Sequence, residues 1–174
     1  YIKTSNSMKN LILALVLLLA FEGYAQQRII GGNEISITER PFQVAVCKNY
    51  IFSGGGCIIA PQWILTAAHV VCLKDTEQTV GMNELEIRYG SSKWINGYSA
   101  FVNQIIVHPE YNSSSLKNDI ALVHLSSPLP FSSTCQPIVL SDMVGLTSGE
   151  AIVSGWGNTS VDVKNSLSEI LKAT

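Results

Sequence analysis

Apolar residues along most of this chain come in short runs, many of them β-branched, cut by Gly, Pro, Asn and Ser. Six such runs, 42–46, 57–60, 63–66, 85–89, 101–107 and 120–125, have the length and composition of strands. None sustains a helical recurrence long enough to compete. Short strands separated by turn signals imply a β-sandwich or barrel. A Ser/Pro-rich stretch, 126–133, reads as a connection, and two further strand-like runs follow at 137–140 and 151–154. The tail, 166–174, reads either as another strand or as an amphipathic turn. Two or three strands cannot close a barrel, so the second half is expected to be incomplete.

One apolar run breaks this pattern. Residues 11–21 are apolar without interruption, with Met8 and Lys9 just before them and the small residues Gly23 and Ala25 just after. The run is too short to span a membrane, which takes about 20 residues. It also lacks the polar face of a buried surface helix. A basic start, an apolar middle and a small-residue end predict a secretory signal peptide over 8–25, cut after Ala25. The polar residues 1–7 precede the first plausible initiator and read as translated upstream sequence.

Composition changes the picture little. Of 174 residues, 47% are hydrophobic, a share raised by the leader, and the formal net charge is -2. No basic run marks a partner among nucleic acids or membrane surfaces. Export permits disulfides, and the four cysteines, Cys47, Cys57, Cys72 and Cys135, allow three complete pairings.

The chemistry sits at the ends of two strands. Trp63-Ile64-Leu65-Thr66 runs into Ala67-Ala68-His69, and Asn118-Asp119 opens the run Ile120-Ala121-Leu122-Val123. A histidine after a strand is more often structural, and an aspartate before one is more often a cap. Together they admit a second reading. A partly buried carboxylate fixes the tautomer of a catalytic imidazole and stabilises the imidazolium, and the small neighbours let the two approach.

Four motifs in order carry a resemblance: Arg-Ile-Ile-Gly-Gly at 28–32, Leu-Thr-Ala-Ala-His at 65–69, Asn-Asp-Ile-Ala-Leu at 118–122 and Val-Ser-Gly-Trp-Gly at 153–157. Pro41-Phe42-Gln43-Val44 and His108-Pro109-Glu110-Tyr111 fit the same pattern. From Arg28 nearly to its end the chain resembles the trypsin/chymotrypsin family of secreted serine proteases, loosely those of arthropods and mites. The resemblance implies an all-β fold of two β-barrels with the active site between them. On that reading 29–131 is the first barrel with its connection, and 132–174 is part of the second. His69 is then the general base and Asp119 its orienting partner, with the nucleophilic serine beyond Thr174. Residues 26–28 become a short propeptide, and Arg28-Ile29 the activation bond. No cofactor or catalytic metal is implied, and no two histidines have metal-ligand spacing. The implied partners are protein or peptide substrates, an activating trypsin-like protease and protease inhibitors, and the implied location is extracellular. A non-catalytic homologue that keeps the fold for binding or inhibition is the alternative.

The chain also departs from the family. Where relatives bridge the histidine loop by two cysteines, the matching positions here are Gly54 and Val70. Cys57 and Cys72, three and two residues further on, are a candidate shifted bridge, although a three-residue displacement on a strand turns the side chain to the other face. Cys135 matches a cysteine that tethers the inter-barrel connection in many relatives, and Cys47 has no counterpart. His108 is expected in a turn and His124 on a solvent-facing position. Trp63 and Trp156 are expected in the core. Asn112 and Asn158 open glycosylation sequons in predicted loops.

Overall fold

The computed structural model describes residues 32–141, 151–159 and 167–174. The expected leader, the 26–28 propeptide and the Arg28-Ile29 bond lie outside these residues.

Six strands, β2 (Gln43–Lys48), β3 (Ile51–Ala60), β4 (Trp63–Thr66), β5 (Leu85–Tyr89), β6 (Tyr98–Val107) and β7 (Ala121–Leu125), close a barrel. Its order is β2-β3-β4-β7-β6-β5, each pair antiparallel. Alternation fixes what fills it. Val44 and Val46, Ile58, Ile64, Leu85 and Ile87, and Val123 and Leu125 point inward and pack as one cluster. Each such side chain contributes roughly 1.5–3 kcal/mol by leaving water.

A second, smaller cluster lies against the outside of β2, where Ala45 and Cys47 meet Ile37, Trp156 and Leu171. The strand β2 is therefore buried on both faces, which is why its sequence reads as a continuous apolar run. Three two-residue strands, β1 (Asn33–Glu34), β8 (Ser154–Gly155) and β9 (Lys172–Ala173), form a separate sheet in the order β1-β9-β8 beside this cluster. Ser92 ties the two parts together. Its carbonyl accepts from Trp156 Nε1 at 2.7 Å and from the Leu171 amide at 2.8 Å, and its hydroxyl accepts from the Ile37 amide at 2.8 Å.

The expected strands 63–66 and 85–89 match β4 and β5, whereas β3 begins six residues before the expected 57. Ser53-Gly54-Gly55-Gly56 reads as turn punctuation, yet these glycines continue the strand. A Cβ on Gly56 would stand 3.0 Å from both Ile64 Cγ2 and Leu65 O, so β3 needs glycine to lie this close to its neighbours. The β2–β3 turn is instead made by Asn49 and Tyr50, both in the left-handed region at φ 47° and 65°, as a two-residue hairpin demands.

Three expectations need correcting. The run 137–140 is no strand, and Ile138 makes a single backbone bond to Ile58 O at 2.8 Å. Pro137, lacking an N–H, cannot continue a ladder. Of the run 151–154 only Ser154 lies in a strand, β8, while the strand reading of the tail holds at Lys172–Ala173, β9. Trp156 is core, at 1% exposure, but Trp63 is half-buried on the outer face of β4, its ring 4.5 Å from that of His124.

All four cysteines are free thiols, so the candidate Cys57–Cys72 bridge is not formed. Gly54, Gly56 and Ile58 face the barrel interior, so Cys57, at the opposite parity of β3, points outward, while Cys72 packs in the barrel core. That opposition accounts for the unformed Cys57–Cys72 bridge. Gly54 and Val70 do face one another, as the two family bridge positions would. A Cβ on Gly54 would stand 2.6 Å from Val70 Cγ2, so the valine occupies the space of the missing bond.

Gly54→Ala is therefore expected to destabilise the folded protein by about 1–3 kcal/mol, because a β-branched neighbour is stiff and gives little. Val70→Ala in the same chain should relieve the clash. Denaturant unfolding of the two single variants and the double will show a double variant less destabilised than the sum; strict additivity would place the strain elsewhere.

Candidate active site

Adjacent antiparallel strands bring the two catalytic candidates together. Thr66, the last residue of β4, pairs with Ala121, the first of β7. The chain entering β7 and the chain leaving β4 therefore emerge side by side at one end of the barrel. His69 lies three residues beyond Thr66, and Asp119 two before Ala121.

Local structure then aims the side chains. After Ala67, whose backbone is extended, a single helical turn α1 (Ala68–Val71) begins. Ala68, Val70 and Val71 are buried in the barrel core, which leaves His69 facing outward. On the other strand, Asn118 takes a left-handed backbone at φ 54° and donates from Nδ2 to Glu110 O at 2.9 Å. Asparagine tolerates that conformation better than most residues. The turn swings Asp119 toward the histidine.

Asp119 grips His69 twice. Its Oδ1 accepts the His69 backbone N–H at 2.9 Å, and its Oδ2 lies 2.7 Å from Nδ1. An ionised carboxylate only accepts, so the ring hydrogen sits on Nδ1 and Nε2 presents its lone pair. The side chains are 43% exposed for His69 and 21% for Asp119, so the imidazole is open to solvent while the carboxylate is mostly screened. Tyr111, buried beside them, has its phenol pKa pushed up by burial and then by the Asp119 charge, and stays neutral.

A cavity of about 300 Å³ adjoins His69. Its rim is braced by Glu77, whose Oε1 accepts from both the amide and the hydroxyl of Ser113 at 2.8 Å. The Ser113 amide, then its hydroxyl, hold the Glu77 carboxyl below its usual pKa. Sequence alone does not flag this brace, because a lone Glu and a lone Ser 36 residues apart carry no pattern.

His108 accepts the Glu110 amide at Nδ1, 3.1 Å away, and so shapes its own turn. His124 sits outside the barrel with Nδ1 2.6 Å from Asn103 Oδ1. Asn112 is exposed, and Asn158 is half-buried, its Oδ1 enclosed without a hydrogen-bond partner among the described residues.

A closed antiparallel barrel with an Asp-anchored histidine at one end defines an all-β fold of the serine-protease type. The Trypsin family model matches residues 29–173, and the chain belongs to that family. It is 36% identical to Serine protease 1 of Rattus norvegicus over 86% of this chain and 58% of that protein. It is 40% identical to Trypsin beta of Drosophila erecta over 76% of this chain and 51% of that one. Among solved structures it is similar to the scabies mite inactivated protease paralogue S-D1, with TM-score 0.72 and 26% identity over 84% of this chain and 60% of that chain. Neuropsin, a serine protease of mouse brain, gives TM-score 0.71 and 25% identity over 84% and 63%. The chain spans little more than half the length of the curated relatives it matches.

The double grip makes a specific prediction for Asp119→Asn. The amide oxygen is needed at Oδ1 to accept the His69 backbone N–H, which turns the NH₂ toward Nδ1. Nδ1 must then accept, and the ring hydrogen moves to Nε2. ¹⁵N NMR of the imidazole should report that tautomer switch in a folded variant; an unchanged tautomer would mean that Asp119 does not orient the ring.

Proposed function

We propose that the complete protein is a secreted serine endopeptidase, made as a zymogen, in which His69 is the general base and Asp119 orients it. The observation that carries this reading is the two-point contact of Asp119 with the His69 backbone and ring. The nucleophile would be a serine supplied by chain beyond Thr174, and residues 132–174 would belong to the second barrel. A serine hydroxyl attacks poorly until a base takes its proton, and the presented Nε2 is that base. Its substrates are proteins or peptides. No cofactor is required, since acyl transfer needs only the nucleophile, the base and an oxyanion site.

Activation would follow from a cut at Arg28-Ile29 by a trypsin-like protease. The freed Ile29 amine would then form a buried ion pair in the second barrel, a switch that works because an unpaired buried charge is costly. Passage through the secretory pathway also opens the sequons to modification, and Asn112, being exposed, is a better acceptor than Asn158.

One observation favours a second reading, a non-catalytic homologue. The structural neighbours include a protein described as an inactivated protease paralogue, so this fold occurs without activity. Retention of His69, Asp119 and Arg28-Ile29 supports the enzyme. The full-length sequence discriminates, because a residue other than serine at the nucleophile position removes the peptidase reading.

With the serine present, His69→Ala should lower kcat by several orders of magnitude, and Asp119→Asn by roughly 10⁴-fold. The double variant should be far less impaired than the product of the two losses, because the residues act as a unit. Steady-state kinetics on a peptide substrate measure this, and multiplicative losses would detach Asp119 from the base. N-terminal sequencing of the activated protein should give Ile-Ile-Gly-Gly; a different terminus would refute the zymogen scheme.

A further inference from the structure

The cavity beside His69 has apolar walls in Leu73, Tyr111 and Leu116, and its charged side chains are Lys48, Lys74 and Asp75. Lys48 stands apart from the other two, which are exposed. It shares the inward parity of Val44 and Val46 on β2, so its stem extends the core row and its amine emerges at the barrel end. There the ammonium donates to Cys72 O, at the end of α1, at 2.6 Å. An ammonium has three donors, and among the described residues this is its one hydrogen bond. No described carboxylate is within ion-pair distance of it.

The surrounding acids are otherwise engaged or balanced. Asp119 holds His69 and Glu77 holds Ser113, while Asp75 is exposed next to the equally exposed Lys74. That leaves one half-buried positive charge without a counter-ion among the described residues, facing a cavity beside His69. Desolvation lowers the Lys48 pKa, which means that the charged form would gain from an incoming anion.

We propose that this cavity is a subsite for an acidic substrate side chain, and that Lys48 is the residue that selects it. The proposal rests on the peptidase reading above in taking a peptide as the occupant. A carboxylate in the cavity accepts the free donors of an ammonium that has already lost part of its water. The isosteric amide offers only a neutral acceptor, and bonds between charged groups are about twice as strong. The subsite therefore separates Glu from Gln and Asp from Asn, pairs that differ little in shape.

The test uses the full-length protein and peptide pairs that differ only as Glu/Gln or Asp/Asn, at each position flanking the cut. At one position the acid should be preferred by roughly 5- to 20-fold in kcat/KM. The preference should shrink as salt rises, fall to near unity in Lys48→Gln, and survive in Lys48→Arg and in Lys74→Gln. The same pairs titrated against His69→Ala by fluorescence anisotropy read the preference as binding, without turnover. A preference in binding with no hydrolysis by the native protein would sink the peptidase reading and leave the subsite standing. Hydrolysis with acid and amide treated alike at every position overturns the subsite, as does a preference that salt or Lys48→Gln leaves unchanged.

Discussion

Thr66 pairs with Ala121 across β4 and β7, and this register decides where the catalytic candidates meet. A slip of one residue would turn every side chain of a strand to the other face. It would empty the barrel of Ile64 and Val123 and separate His69 from Asp119 in the same movement. Core packing and site geometry are thus enforced together. The apolar side chains that make the register unambiguous also keep the carboxylate within 2.7 Å of the imidazole.

Around that joint the structure is built in two layers of restraint. Val70 and Val71 bury the flanks of the single turn α1, so the histidine is presented by a backbone anchored in the core. Asn118 does the same for the aspartate through Glu110 O. Further out, Ser92 gathers three bonds from segments distant in sequence and fixes the small β1-β9-β8 sheet against β2. Without that cover, the outward row of Ala45 and Cys47 would be apolar surface in water. Burial in this layer pushes the Cys47 thiol up to about 11, so it acts as a small hydrophobe there.

Much of this was legible in the sequence because strands and turns leave short-range marks. The runs at 63–66 and 85–89 coincide with strands, and His69 and Asp119 stand out because each ends or opens an apolar run beside small residues. What sequence concealed is long-range. Three consecutive glycines suggest a turn unless one knows that Ile64, Leu65 O and Val70 press against them. Trp63 looks like core until its parity on β4 is set by the register with β7. The Glu77–Ser113 brace and the approach of Lys48 to Cys72 O depend on segments that meet only in the folded chain, so no local pattern announces them.

The contact between Gly54 and Val70 has one more consequence. In this chain the loop bearing His69 is joined to β3 by shape, not by sulfur. A thiol reductant finds no bond to break at that point, and an oxidant none to form. The join between this loop and β3 is therefore indifferent to the redox potential around it. The same position becomes sensitive to volume instead, since a methyl group added on one side must be matched by space given up on the other.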